Sequence, residues 1–368
     1  MPLMKTPRSV DLAVTGRCNL RCRYCSHFSS AGDVERDLPA EVWLEFFTEL
    51  NRCAVMEVCL LGGEPFIRED FKELINGIVR NRMRFSILSN GTLITDETAS
   101  FLASTGRCDH VQVSIDGSGP GPHDACRGAG NYLRAVNGLR LLQKHGVPAA
   151  VRVTIHRGNV QDIENISALL IDDLGLPGFS TNSASYLGMC RKNAELVQLT
   201  AQERSSAMRT LLKLARRYEG RIGAAAGPLA EARAWREMHN AWIRKRSDLP
   251  GGGFLTGCGG ANSTLGIRAD GVMVPCIQMP DMALGRINED DLTVVWQSHP
   301  ELERFRKRRE IPLSSFDFCY DCRYMPYCSG NCPAVSYAML HDPYHPSPDA
   351  CLKRFLESGG EVPLDQGI

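Results

Sequence analysis

Residues 15–25 read TGRCNLRCRYC and follow directly on VDLAV (10–14). A short, largely apolar run of that kind has the pattern of a buried strand. Cys18, Cys22 and Cys25 then lie on the loop leaving its carboxyl end, spaced C-x3-C-x2-C. Three thiols are one ligand short of a structural zinc site and of an ordinary iron–sulfur cluster. Wrapped around a four-iron cubane they would leave one iron open, and catalytic metal centres take their ligands at open positions. Arg21 and Arg23 could balance an anionic cluster, and Tyr24 offers a ring for stacking. The alternative is zinc with His27 as fourth ligand.

The strand pattern recurs downstream in EVCLL (57–61), RFSIL (84–88), HVQVSI (110–115), AAVRVTI (149–155) and GFSTNSAS (178–185). Helix patterns fall between them over 39–53, 68–81, 95–105, 131–146 and 159–175. Thr95 and Asn159 are expected caps, and Gly146 with Pro148 a stop signal. Strands alternating with helices predict an α/β fold on a parallel sheet, either an open doubly wound sheet or a partial barrel. In both, loops at the carboxyl ends of the strands carry the chemistry. GGEP (62–65), SNGT (89–92) and DG (116–117) occupy those loops after strands two, three and four.

Lys+Arg and Asp+Glu number 42 each in 368 residues, which gives no reason to expect a nucleic acid or a membrane as partner. The opening MPLMKTPRSVDLAV lacks the apolar run of a signal peptide, and no segment nears the ~20 apolar residues of a membrane-spanning helix. A cytoplasmic protein is expected. In a reducing compartment 15 cysteines read as metal ligands rather than disulfides, the more so because ten are clustered: 18/22/25, 258/276 and 319/322/328/332/351.

The chain divides into a core over 1–190, a helical bridge over 191–257 and a cysteine-rich segment over 258–357. The bridge carries helix patterns over 200–220 and 231–247 and ends in the break LPGGGFLTG. The last segment has few long periodic runs, so metal clusters rather than a core of its own are expected to hold it. Its CYDCRYMPYCSGNC (319–332) fits a four-cysteine zinc site or iron–sulfur clusters.

The cysteine loop after the first strand, with GGEP after the second, resembles the radical S-adenosylmethionine superfamily. The order Cys258, Cys276, Cys319, Cys322, Cys328, Cys332, Cys351 resembles its SPASM extension. The resemblance implies a partial (β/α)6 barrel with a small loop-rich C-terminal iron–sulfur domain. It implies three [4Fe–4S] clusters. One sits on Cys18, Cys22 and Cys25 and chelates S-adenosylmethionine through its open iron. An auxiliary cluster falls to Cys258, Cys276 and Cys332, and another to Cys319, Cys322, Cys328 and Cys351. In the family, reductive cleavage of the cofactor yields a 5′-deoxyadenosyl radical that takes a hydrogen atom from the substrate.

Carried over position by position, Gly62, Gly63, Glu64 and Pro65 receive the cofactor's amino group, and Tyr24 stacks on it. Ser89, Asn90, Ser114 and Asp116 lie near its ribose and methionine, and Arg127 of HDACRG near its carboxylate. Cys126 is a candidate hydrogen donor. The first auxiliary set lacks the extra cysteine of fully ligated relatives. Its fourth ligand is left to water, a noncysteine side chain, another chain's residue or the substrate, or to Cys190 if the bridge folds back.

Relatives of this kind mostly modify peptides and proteins. In those that mature sulfatases an Asp follows the cysteine matching Cys276; Ile277 stands here and weighs against formylglycine formation. Strand one begins near residue 10, so a peptide substrate is expected to need a separate leader-recognition protein or contacts from the bridge. The resemblance implies an oxidoreductase that crosslinks, dehydrogenates or epimerises a residue of a ribosomally made peptide, fed by a flavodoxin- or ferredoxin-type electron donor. A small-molecule dehydrogenase on the same machinery is the alternative. From another class come a non-catalytic iron–sulfur electron carrier or a zinc-binding module; GGEP weighs against these, since a carrier needs no cofactor seat.

Overall fold

The computed structural model describes residues 3–28, 37–256 and 258–364. Its first half alternates as predicted: β1 (Ser9–Thr15), α1 (Ala40–Arg52), β2 (Glu57–Gly62), α2 (Phe71–Arg80), β3 (Arg84–Ser89) and α3 (Asp96–Ser104). Then come β4 (Cys108–Ser114), α4 (Pro120–Arg127), α5 (Asn131–Lys144), β5 (Ala149–Ile155), α6 (Ile163–Ala168) and β6 (Phe179–Ser183). The six strands pair in parallel and in chain order, so their carboxyl ends share one rim. Successive residues of a strand face opposite sides. On β1, Val10, Leu12 and Val14 join Trp43, Phe46 and Phe47 in the core beneath the helices. Asp11, between them, faces the inner side and lines a cavity there.

Two local expectations change. DGSGPGPHD (116–124), rich in Gly and Pro, has the pattern of a loop, yet from Pro120 to Arg127 the chain is helical. Pro120 takes a first-turn position, where the missing N–H costs no hydrogen bond. Thr95 caps α3 as expected, but Asn159 caps nothing, because α6 starts after Asp162. The Asn159 side chain instead accepts the His156 N–H and donates to the Thr154 and Asp116 carbonyls, tying together the exits of β4 and β5.

The sheet extends past the six strands at both edges. After β6 come α7 (Gly188–Lys192), α8 (Ala194–Val197) and α9 (Ala201–Arg217), the last opened by a Thr200–Glu203 capping box. Then β7 (Ile222–Ala224) pairs in parallel with β6, and α10 (Pro228–Ile243) follows. The bridge is therefore not purely helical. At the other edge β8 (Thr264–Ile267) pairs in parallel with β1, and β9 (Val272–Val274) and β10 (Gly285–Arg286) continue antiparallel.

The cysteine-rich segment also differs from expectation in what holds it. Leu265, Ile267, Met273, Trp296 and Phe305 belong to the same core as β1–β6. Trp296 donates through its indole N–H to the Met4 carbonyl, fastening the segment to the start of the chain. Beyond β10 the segment is loop-rich, with no helix longer than eight residues among the described ones. No helix of the described residues is long and apolar enough to cross a membrane.

Candidate active site

The second rim loop is built around the three-cysteine loop. Gly63 donates its N–H to the Thr15 carbonyl (2.9 Å), and Glu64 donates to the Arg17 carbonyl (2.8 Å). A Cβ on Gly62 would lie 2.3 Å from the Thr15 oxygen, and one on Gly63 1.9 Å from the Arg17 oxygen. Only glycine lets two backbones approach this closely, and Gly62 also has φ 135°. Glu64 then turns away from the cavity. Fully buried, its carboxylate accepts from Ser89 Oγ (2.8 Å), the Asn90 N–H (2.8 Å) and the Phe66 N–H (3.3 Å). Burial pushes its carboxyl up to about 7 against those hydrogen bonds. Its place is a clamp between the second and third rim loops.

A second buried carboxylate organises the opposite side. Asp116 accepts from Arg127 Nε (2.5 Å), the Thr154 N–H (2.7 Å) and the Tyr24 hydroxyl. Burial is the largest single influence on its carboxyl and would raise it; Arg127, His156, His123 and the Tyr24 hydrogen bond together outweigh it and hold the carboxyl below the usual range. Arg127 Nη1 lies 4.0 Å from Cys22 Sγ. Asp116 thus anchors the cysteine loop through Tyr24 and aims Arg127 at it.

A cavity of about 490 Å³ opens between these loops. Cys18, Cys22 and Cys25 are on its wall, with Tyr24, Gly62, Gly63, Ser89, Asn90, Ser114 and Arg127. Glu64, Pro65 and Asp116 stand behind that wall. Cys276, Ile277 and Gln278 close the cavity from the C-terminal segment, so the barrel rim and one C-terminal cysteine set share one space. His27 lies on the wall too.

Sequence reading missed the polar lumen: Asp11, Gln112, Arg152, Thr154 and Asn182 also line the cavity. A signal existed. Asp11 in VDLAV and Arg152 in AAVRVTI are single charged residues inside otherwise apolar strands. Burial pushes the Asp11 carboxyl up to about 6. The start of the bridge was missed as well. Met189 donates its N–H to the Cys25 carbonyl (2.8 Å), and the Asn193 side chain donates to the Arg23 carbonyl (2.9 Å), so α7 packs on the cysteine loop.

Cys126 is off the cavity wall. Its thiol lies 3.5 Å from His156 Nδ1, in a small apolar cluster with Tyr24, Ala184, Cys190 and Val197. That placement gives no support to its candidacy as a hydrogen donor. Cys190 is fully buried in this same cluster and does not line the cavity wall that Cys276 shares.

The C-terminal thiols separate into two groups. Burial first, then the neighbouring Cys258 and Cys332, push the Cys276 thiol up to about 12. Burial, then Cys328, Cys322 and Cys351, do the same to Cys319. Those four cysteines line one pocket with Tyr324 and Leu352. N–H groups point at sulfur in each group: Leu20 at Cys18 (3.4 Å), Gln278 at Cys276, and Gly330 at Cys328 (3.4 Å). Such bonds favour the thiolate that a metal requires. The sulfurs neighbour one another without converging on one point; no three His, Cys, Asp or Glu side chains do so among the described residues.

Residues 12–170 match the model of the radical SAM superfamily, and residues 258–323 match that of SPASM, an iron–sulfur cluster-binding domain. The chain is 23% identical over 354 residues to the PqqA peptide cyclase of Bradyrhizobium diazoefficiens, covering 96% of this chain and 88% of that protein. It is 26% identical over 383 residues to the pre-heme d1 synthase of Dinoroseobacter shibae, covering 98% and 90%. Among solved structures, Streptococcus suis SuiB bound to its precursor peptide SuiA superposes with a TM-score of 0.71 at 17% identity, over 95% of this chain and 77% of that one.

Proposed function

Because the chain belongs to the radical S-adenosylmethionine superfamily and carries a SPASM domain, we propose that it oxidatively modifies a residue of a ribosomally made peptide. The observation that carries this reading is the shared cavity, walled by Cys18, Cys22 and Cys25 on one side and by Cys276 on the other. A substrate held there touches both a radical source and an auxiliary cluster that can accept the electron an oxidation leaves behind. The names of two similar proteins, a peptide cyclase and an enzyme bound to its precursor peptide, support a peptide substrate.

The residues fit the groups this family carries. Cys18, Cys22 and Cys25 would hold the first cluster, with the Asn90 amide, the Leu20 N–H and Arg127 directed at their sulfurs. Gly62 and Gly63 keep the cofactor side of the wall free of side chains. When bound there, S-adenosylmethionine supplies hydrogen-atom abstraction from an unactivated C–H bond. Arg127, held from behind by Asp116, is the cation nearest the cysteine loop that a carboxylate could meet, and Tyr24 the ring on that loop available for stacking. The auxiliary clusters would fall to Cys258, Cys276 and Cys332 and to Cys319, Cys322, Cys328 and Cys351. The first of these would have three cysteine ligands, of which Cys276 lies on the cavity wall. Core, bridge and cluster segment over 1–190, 191–257 and 258–357 then correspond to radical generation, cover over the cysteine loop, and electron handling. Oxidation of a small molecule is the second reading, favoured by the similarity to pre-heme d1 synthase across 98% of the chain.

Anaerobic reconstitution tests the assignment. About twelve irons per chain are expected, four for each cubane, together with reductive cleavage of S-adenosylmethionine. Replacing Cys18, Cys22 and Cys25 with Ala should remove about a third of the iron and all cleavage. Stoichiometric zinc without acid-labile sulfide, or cleavage that survives the triple replacement, refutes it. A mass change in a peptide encoded beside the gene, accompanied by 5′-deoxyadenosine, separates the peptide reading from the small-molecule one.

A further inference from the structure

The outer face of α10 carries a feature that the cavity does not use. The helix packs its inner face, Trp235, Met238 and Ala241, with Tyr324 against Cys322 and Cys328. Its outer face and the residues after it form a groove of about 260 Å³ whose charged lining is Arg233, Arg236, Arg244 and Arg246 with one carboxylate, Glu237. Arg236 is tied to the Pro363 carbonyl. Arg233, Arg244 and Arg246 are exposed. At the C-terminal turn of the helix, off the groove lining, Trp242 and Ile243 are 37% and 58% exposed, and Arg244, Lys245 and Arg246 are exposed directly after them. A chain with equal numbers of acidic and basic residues has therefore gathered cations around an exposed aromatic. Aromatic and Arg side chains are the types enriched in protein–protein interfaces.

Two links join this face to the second C-terminal cysteine group. The Arg323 guanidinium, one residue from Cys322, lies 4.5 Å from the centre of the Trp242 ring and 5.0 Å from that of Tyr324. The Tyr327 hydroxyl, one residue from Cys328, donates to the Arg246 carbonyl (2.7 Å). The groove is thus separated from the thiols by about one helix thickness, ~10 Å.

We propose that the C-terminal end of α10, Trp242 and Ile243 flanked by Arg244, Lys245, Arg246 and Arg323, is the docking surface of an acidic one-electron carrier protein that exchanges electrons with the cluster on Cys319, Cys322, Cys328 and Cys351. The proposal rests on the reading that those cysteines hold a cluster. The step moves one electron and no atoms. When the carrier arrives reduced, its flavin or iron centre is oxidised by one electron as the cluster is reduced; an oxidised carrier reverses the exchange. Opposite charge on the two surfaces steers the encounter and makes it sensitive to salt.

Stopped-flow bleaching of the cluster absorbance in the reconstituted full-length chain tests this. Reduced flavodoxin serves as the acidic carrier, and a neutral deazaflavin photoreductant as a donor that needs no dock. A parallel sample lacking Cys18, Cys22 and Cys25 isolates the auxiliary clusters. Replacing Arg244, Lys245 and Arg246 together with Glu should slow exchange with flavodoxin by about tenfold or more. It should also abolish the fall in rate with added salt and leave photoreduction unchanged. Wild-type exchange in the charge-reversed variant, or a wild-type rate indifferent to salt, overturns the proposal. So does equal slowing with the neutral donor, which would mean the cluster itself was disturbed. Absence of iron from the Cys319 group would instead refute the cluster reading beneath it.

Discussion

Glu64 shows how one residue can sit in a cofactor motif and act from behind it. The motif suggests contact with the cofactor's amino group; its carboxylate is spent on Ser89, Asn90 and Phe66. Glu64→Ala leaves two buried donors without partners, which costs about 2–3 kcal/mol. The expected result is a lower melting temperature in the apoprotein, before any cofactor is added, alongside weaker S-adenosylmethionine binding. Unchanged apoprotein stability with weakened binding would mean that the carboxylate meets the cofactor directly. Asp116 follows the same logic. It touches Arg127 and Tyr24 rather than the cavity, so its contribution is to hold two side chains in place.

Among elements, the contact between the first two rim loops decides whether the site exists at all. Their backbones touch through Gly62 and Gly63, and the atoms a Cβ would meet are backbone oxygens that cannot rotate away. Gly63→Ala should displace the three-cysteine loop. Iron content should fall toward the level of the Cys18, Cys22 and Cys25 triple variant, with both auxiliary clusters retained. Full iron content together with wild-type cofactor cleavage would show that the loops tolerate separation. The helix Pro120–Arg127 matters for a similar reason: as a rigid element it fixes the angle at which Arg127 enters the site.

At the scale of the molecule, the bridge and the C-terminal segment are joined by a buried charge group. Arg204 on α9 lies 3.6 Å from Glu231 on α10 and donates to the Asp349 carbonyl at 2.9 Å. Burial pushes the Glu231 carboxyl up to about 7 despite Arg204, and its Oε2 has no hydrogen-bond partner. A carboxyl whose folded pKa lies above its unfolded one binds its proton more tightly when folded. Stability is therefore lost as pH rises from about 4.5 to about 7, and the deficit persists above that. Glu231→Gln removes the deficit. The variant should match wild type below about pH 4.5 and exceed it at pH 8 by up to about 3 kcal/mol, measured by urea unfolding at both pH values. Equal stability at pH 8 would show that Arg204 fully compensates the charge.

What could be read from the chain alone was what depends on local pattern. Apolar runs of five to seven residues placed five of the six strands to within about two residues, because strands packed under helices favour apolar stretches; the sixth, GFSTNSAS, is eight residues long and largely polar. Cysteine spacing and GGEP located the rim chemistry, because short loops fix which groups can meet. The rest depends on contacts between distant segments. IGA at 222–224 and TLGI at 264–267 are too short to announce themselves, and they become strands only because β6 and β1 offer free edges. The cysteine-rich segment looked coreless because its apolar residues complete a core begun some 200 residues earlier in the chain. Whether a charged residue within a strand faces lumen or solvent is likewise set by the curvature of the whole sheet. Asp11 and Arg152 were visible as exceptions in apolar strands, yet only closure of the rim, with Cys276 and Ile277 brought in from the far end of the chain, made them the walls of one cavity.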